Sequence, residues 1–145
     1  MYKILSQDYL NETFPILNCE EDVIILFISK DGVCLHPAFS AIKNLNINIE
    51  NNIRKNCVEH TIKEGTLLLL KHNDKKVLIM PIQETWKEKY NQNFIEQGFL
   101  KISTVYKERN INSIAIQEGV IPSDLIDKLI DKLDLPKITY YQNKE

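Results

Sequence analysis

The sequence predicts an α/β domain with a mixed central sheet, and three observations carry that prediction. Val23-Ile-Ile-Leu-Phe-Ile28 is an unbroken apolar run rich in β-branched residues, the pattern of a central strand covered on both faces. Thr66–Leu70 and Val77–Met80 are two apolar runs around the polar segment Lys71–Lys76, which predicts an antiparallel hairpin. The remaining strands alternate with segments of helical spacing, an order that packs helices on both faces of a sheet.

Each element follows in turn. Tyr2–Leu5 is a short apolar run suited to a first strand, and Ser29-Lys-Asp-Gly32 reads as the turn that ends the central one. Phe39–Lys43 is compatible with a short helix. Ile49, Ile53, Val58 and Ile62 are expected to line one face of another, stopped at Gly65. From Asn91 to Arg109 the residues Phe94, Ile95, Phe99, Ile102, Val105 and Tyr106 recur at helical spacing, so this segment is an amphipathic helix. Ser113–Ile116 is a short strand. Ser123 is the expected N-cap of a last helix whose stripe is Leu125, Ile126, Leu129, Ile130 and Leu133. Pro136 closes that helix before a final strand, Lys137–Tyr141.

Composition narrows the function classes. The 145 residues fit one domain spanning 1–145, with no linker, repeat or low-complexity segment to divide it. With 18 Lys+Arg against 20 Asp+Glu, the formal charge of −2 provides no basic footprint for nucleic acid. No apolar stretch approaches the roughly 20 residues of a membrane span, and Asp8 and Glu12 interrupt the N-terminus too early for a signal peptide, so the expected compartment is the cytoplasm. Cys19, Cys34 and Cys57 lack metal spacing and read as free thiols. His36, His60 and His72 are too scattered to form a metal motif, so neither a metal nor another cofactor is expected. The abundance of Lys, Ile and Asn over Arg and Ala points to an AT-rich bacterial or phage genome.

Several local motifs then align with one known family. Ser6-Gln-Asp8-Tyr9-Leu10 follows the first strand, and Ser29-Lys-Asp31 follows the central one. Met80-Pro-Ile-Gln-Glu-Thr-Trp86-Lys-Glu-Lys89 leads to Ile95-Glu-Gln-Gly98-Phe, with Ser113-Ile-Ala-Ile116 further on. Together these resemble the macrodomains, the ADP-ribose-binding modules, and within them the antitoxin and protein-deglycohydrolase branch. The resemblance spans nearly the whole chain, and the Pro, Trp, Lys, Ile, Glu and Gly positions of its middle part are its most specific feature. It implies a three-layer α/β/α fold with a mixed sheet. It also implies a ligand site made by Asp8 and Tyr9, Ser29 and Asp31, Gln83, and Glu118 with Gly119. In the family the residue at Asp8 accepts a hydrogen bond from the adenine amine, and the Ser29–Asp31 segment borders the distal ribose.

Three departures concern the ligand loops. The family's small-residue loop is replaced by Val33-Cys-Leu-His-Pro-Ala38, where His36 and Pro37 add bulk and proline lacks an N–H donor. The glycine-rich phosphate loop is reduced to Gln117-Glu-Gly-Val-Ile-Pro-Ser123, which sets the carboxylate of Glu118 where a diphosphate would lie. Gln83 stands where some relatives use a lysine, and an amide cannot supply that charge or form a Schiff base. Asp124 is offset from the family's acid, so no catalytic residue is assigned.

Plainer readings apply to the same residues. Asp8 suits a cap after a strand, Ser29 and Asp31 suit a turn, and Trp86 suits packing or a surface position. A Cys34–His36 dyad would need an unusual loop to bring thiol and imidazole into hydrogen-bond contact. The expectation is a non-catalytic or weakly active domain binding ADP-ribose or a related adenine nucleotide. The alternative is a scaffold without a pocket that acts as a protein-interaction module or inhibitor, directed at a host factor if the gene is a phage's. An enzyme rebuilt around Cys34, His36 or Asp124 is the third reading.

Overall fold

The computed structural model describes residues 13–33, 36–39, 42, 47–63, 65–72 and 75–142. The elements are a 3-10 turn at Pro15–Asn18, then β1 (Val23–Ser29), α1 (Ile47–Val58), β2 (Leu68–His72) and β3 (Lys75–Gln83). They continue as α2 (Gln92–Val105), β4 (Ser113–Gln117), α3 (Ser123–Lys132) and β5 (Lys137–Tyr141). Tyr2–Leu5, the expected first strand, lies outside the described residues.

The five described strands form one mixed sheet in the order β2-β3-β1-β4-β5. β1 pairs in parallel with β3 and β4, β4 pairs in parallel with β5, and β2 runs antiparallel to β3. All seven residues of β1 are buried, as they must be for a strand with layers on both faces of the sheet. The fold is therefore three-layered, α/β/α. The hairpin ladder runs further than the sequence implied, as far as the pairing of His72 with Lys75.

α2 lies against β3 through a glycine. A β-carbon at Gly98 would fall 2.7 Å from the Met80 sulfur, so the glycine is what lets the helix reach the sheet. Asn91 caps α2: its side-chain oxygen accepts from the N–H groups of Asn93 and Phe94 at 2.9 and 3.3 Å. Phe94, Ile95, Phe99 and Ile102 form the buried stripe, as their spacing predicts.

Two helical expectations are corrected. α1 ends at Val58, seven residues before Gly65; Ile49 and Ile53 are buried, whereas Val58 is 73% exposed and Ile62 is buried from outside the helix. The Asn-rich composition gives this helix a narrow apolar face, so two of the four residues reach the core from the helix, Ile62 reaches it from the segment beyond, and Val58 does not. In α3, Ser123 is the first helical residue, not the cap. Pro122 occupies the cap position, and no side chain caps the helix there. Ile126 and Leu129 carry the burial of α3, and Ile130 is largely exposed. The final strand, Lys137–Tyr141, forms as expected.

Candidate functional site

β1, β3 and β4 point the same way, so their carboxyl ends share one edge of the sheet. From there the chain leaves β1 toward β3 and leaves β4 toward β5, on opposite sides. The gap between neighbouring strands whose connections diverge is where open α/β sheets bind ligands. A cleft of about 210 Å³ opens at that place, lined by Phe27, His36, Ile82, Gln83, Tyr90, Gly119 and Val120.

The sequence shapes this cleft through a proline. Pro81 sits inside β3 and has no N–H for a ladder. The register slips beside it: Ile28 pairs with Pro81, but the next residue, Ser29, pairs with Gln83. Ile82 is passed over by β1 and lines the cleft, while its carbonyl accepts the N–H of Asn91 at 2.6 Å. This bond ties the start of α2, and with it Tyr90, to the cleft.

His36 forms one wall. Its ring stacks edgewise on Phe14 and tilts against Phe39, with centroids 6.3 and 5.8 Å away. Nδ1 accepts the Ala38 N–H at 3.1 Å, which leaves the ring proton of the neutral form on Nε2. Burial lowers the imidazole pKa, favouring that neutral form. Opposite, Gly119 adopts φ +95°, a conformation side chains rarely take, and is exposed with open space beside it.

The expected site residues divide among several positions. Gln83 and Gly119 line the cleft together. Gln83 is buried, and its amide Nε2 donates to the Glu88 carbonyl at 2.6 Å. Glu118 adjoins the cleft through its neighbour, and its backbone N–H donates to the Tyr141 carbonyl at 2.8 Å. Ser29 is fully buried: its hydroxyl donates to the Asp31 carboxylate and accepts the Val33 N–H at 3.1 Å. Asp31 is exposed and faces a separate groove formed with Asn56, Cys57 and His60. Asp8 and Tyr9 lie outside the described residues, as does Cys34 of the suggested dyad.

Phe27, Ile82, Tyr90 and Val120 were not singled out from sequence. Phe27 and Ile82 sit in apolar strand runs whose pattern signals burial alone, and Tyr90 and Val120 occupy loops without periodicity. His36 was read as bulk in a ligand loop and as one member of a Cys34–His36 dyad; the structure makes it a wall of the cleft. Trp86, 46% exposed, is a surface residue. The thiols of Cys19 and Cys57 are both pushed up in pKa by burial, which makes them poor nucleophiles.

Such a sheet, with a cleft at its strand ends and helices on both faces, defines a three-layer α/β/α domain. Its particular fold is that of a macrodomain. The chain is similar to the macrodomain of Thermus aquaticus DarG, with a TM-score of 0.71 and 13% identity over 90% of this chain and 93% of that one. It is similar to the macrodomain of Mycobacterium tuberculosis DarG at a TM-score of 0.74 and 17% identity, over 87% and 92% of the two chains. Thermosipho africanus DarTG in complex with ADP-ribose matches at 0.69 and 20% identity, over 83% of this chain and 38% of that longer one. No family model and no curated protein matches the sequence.

Proposed function

We propose that residues 1–145 form one domain that binds ADP-ribose or a related adenine nucleotide and performs little or no hydrolysis. The observation that carries this reading is the cleft at the carboxyl ends of β1, β3 and β4, with Gly119 held at a positive φ on its rim. One neighbour in fold is a protein in complex with ADP-ribose, which makes this the first ligand to test.

The case against catalysis comes from the lining itself. Among its described residues there is no carboxylate, lysine or cysteine. Gln83 is uncharged and its amide is engaged by Glu88. His36 cannot use Nδ1 as a base while that atom accepts from Ala38.

Calorimetric titration of the whole chain with ADP-ribose, and with ADP and NAD for comparison, tests the reading. Saturable binding of an adenine nucleotide, lost on substitution of Gly119 by a bulky residue, is the expected result. A folded sample that gives no heat with any of the three overturns it. Release of free ADP-ribose from a modified protein at a rate above background would restore the enzyme reading.

A further inference from the structure

We propose that β2 and the groove beside it take up an extended acidic segment of another protein, which pairs with β2 as a further strand and seats an apolar side chain between two carboxylates. This site is independent of the nucleotide reading and lies in a different part of the molecule.

The argument starts at the end of the sheet. Among the described strands β2 is last in the order and pairs with β3 on one side. A strand in that position presents N–H and C=O groups along its other side, a template for one more strand. Leu67, Leu68, Leu69 and Leu70 are all half-buried, so apolar surface remains along this edge. Beside it, on the face of the sheet that carries α2, lies a groove of about 280 Å³. Its apolar floor is Leu67, Leu69, Leu78, Ile102, Val105 and Ile111.

Charge selects the occupant. The charged residues of the described lining are Lys101 and Arg109, both exposed. α2 joins β3 to β4, which are both parallel to β1, so the helix runs back along the sheet. Gly98 meets Met80 beside the start of β2, and Lys76 Nζ donates to the Arg109 carbonyl at 3.2 Å near its end. Lys101 and Arg109 therefore stand toward opposite ends of the groove. The helical turn continues to Arg109, whose N–H donates to the Val105 carbonyl at 3.0 Å. Eight residues of helical rise separate the two cations by about 12 Å. An extended chain covers about 13 Å in four residues, with positions i, i+2 and i+4 on one face. Acids at i and i+4 with an apolar residue at i+2 match both cations and the floor between them.

The strand pair adds to this field. Lys71 and Lys76 are directly opposed, on the face that also carries Leu69 and Leu78. Like charges so placed are unfavourable, and a carboxylate beside them relieves the repulsion. A second copy of this chain would instead set the cationic edge against its own image, which lysines at a sheet edge oppose. Main-chain pairing would supply the affinity of an acidic segment and the alternate side chains its specificity.

The test is NMR titration of the full chain with the capped peptide Thr-Glu-Thr-Val-Thr-Glu-Thr, and with a control peptide in which both glutamates are lysine. Expected are saturable shifts in β2 and α2 with the glutamate peptide, slowed exchange of the β2 amides that face away from β3, and weakening at raised salt. The exposed pair Lys101→Glu/Arg109→Glu should lower affinity for the glutamate peptide by about fivefold or more. The same variant should bind the lysine peptide instead, and an unchanged unfolding midpoint should show that it is folded. Equal binding of the two peptides, or binding indifferent to the double substitution, would overturn the proposal. So would the absence of binding to a folded sample at millimolar peptide. A concentration-dependent dimer that protects the same β2 amides would also overturn it and make a second copy the occupant.

Discussion

Gly98 of α2 and Met80 of β3 are in such close contact that a β-carbon on the glycine would lie 2.7 Å from the methionine sulfur and 2.9 Å from its Cγ. Met80 is fully buried, so its side chain cannot swing clear. Overpacking of this kind costs about 1–3 kcal/mol, and replacing a mid-helix glycine by alanine recovers about 1 kcal/mol. Gly98→Ala should therefore lower stability by up to about 2 kcal/mol in urea unfolding. In a Met80→Ala background the same change should become neutral or stabilising. Additive effects in that double-mutant cycle would show that the contact is not what requires the glycine.

Gly119 presents the opposite case. A β-carbon there meets nothing within 4 Å, so any penalty comes from the backbone at φ +95° alone. Gly119→Ala should cost about 1 kcal/mol of stability. The loop would relax toward negative φ and carry Val120 with it, narrowing the cleft. Nucleotide binding should then fall more than stability does. Equal affinity for the variant and the wild type would detach Gly119 from ligand recognition.

The strands were the most legible part of the chain because their apolar runs are short, dense and bounded by polar turns. Val23–Ile28, the hairpin and Lys137–Tyr141 all formed where they were expected. Gly98 was visible as a motif position, yet only the structure shows that Met80 is its reason. The helix ends were less legible. Ser123 has the chemistry of a cap, but Pro122 pre-sets the chain one residue earlier and places Ser123 inside the first turn. The cleft was half legible. Gln83 and Gly119 were reached through the resemblance, whereas Ile82 lines it because Pro81 disrupts the β1–β3 ladder, a tertiary consequence that periodicity does not encode. Ser29 and Asp31 illustrate the ambiguity of a polar pair after a strand: their side chains bond each other and brace the turn, which the plainer reading had anticipated.

Tyr140 and Tyr141 predict behaviour at alkaline pH. Burial and a hydrogen bond to Asp127 raise the pKa of the first phenol; burial and a bond to Glu21 raise that of the second. A tyrosine whose folded pKa lies above its unfolded value contributes stability that is complete below about pH 10 and is lost as pH rises through the folded value. Thermal midpoints should therefore drop above about pH 10, and the Tyr140→Phe/Tyr141→Phe double variant should show a shallower drop. At neutral pH Tyr141→Phe should cost about 0.5–1.5 kcal/mol, the usual worth of one hydrogen bond. Parallel alkaline slopes in the two proteins would rule out these tyrosines as the source.

His36 predicts the acid limb. Desolvation lowers its folded pKa below the ordinary 6.5, and its Nδ1 must stay unprotonated to accept the Ala38 N–H. A histidine with a depressed folded pKa contributes stability that is present above the unfolded value and lost as pH falls through the folded one. Protonation would place a charge between Phe14 and Phe39 and break the turn that begins at residue 36. Stability should therefore decline as pH falls below about 6.5. Ligand binding should decline over the same range, since the ring is a wall of the cleft. His36→Asn keeps a short acceptor for the Ala38 N–H but has no proton to gain. The variant should be less stable at neutral pH through lost ring packing, yet the difference from wild type should shrink as the solution is acidified. A gap that stays constant from neutral to acid pH would mean that His36 does not titrate within the folded protein's working range.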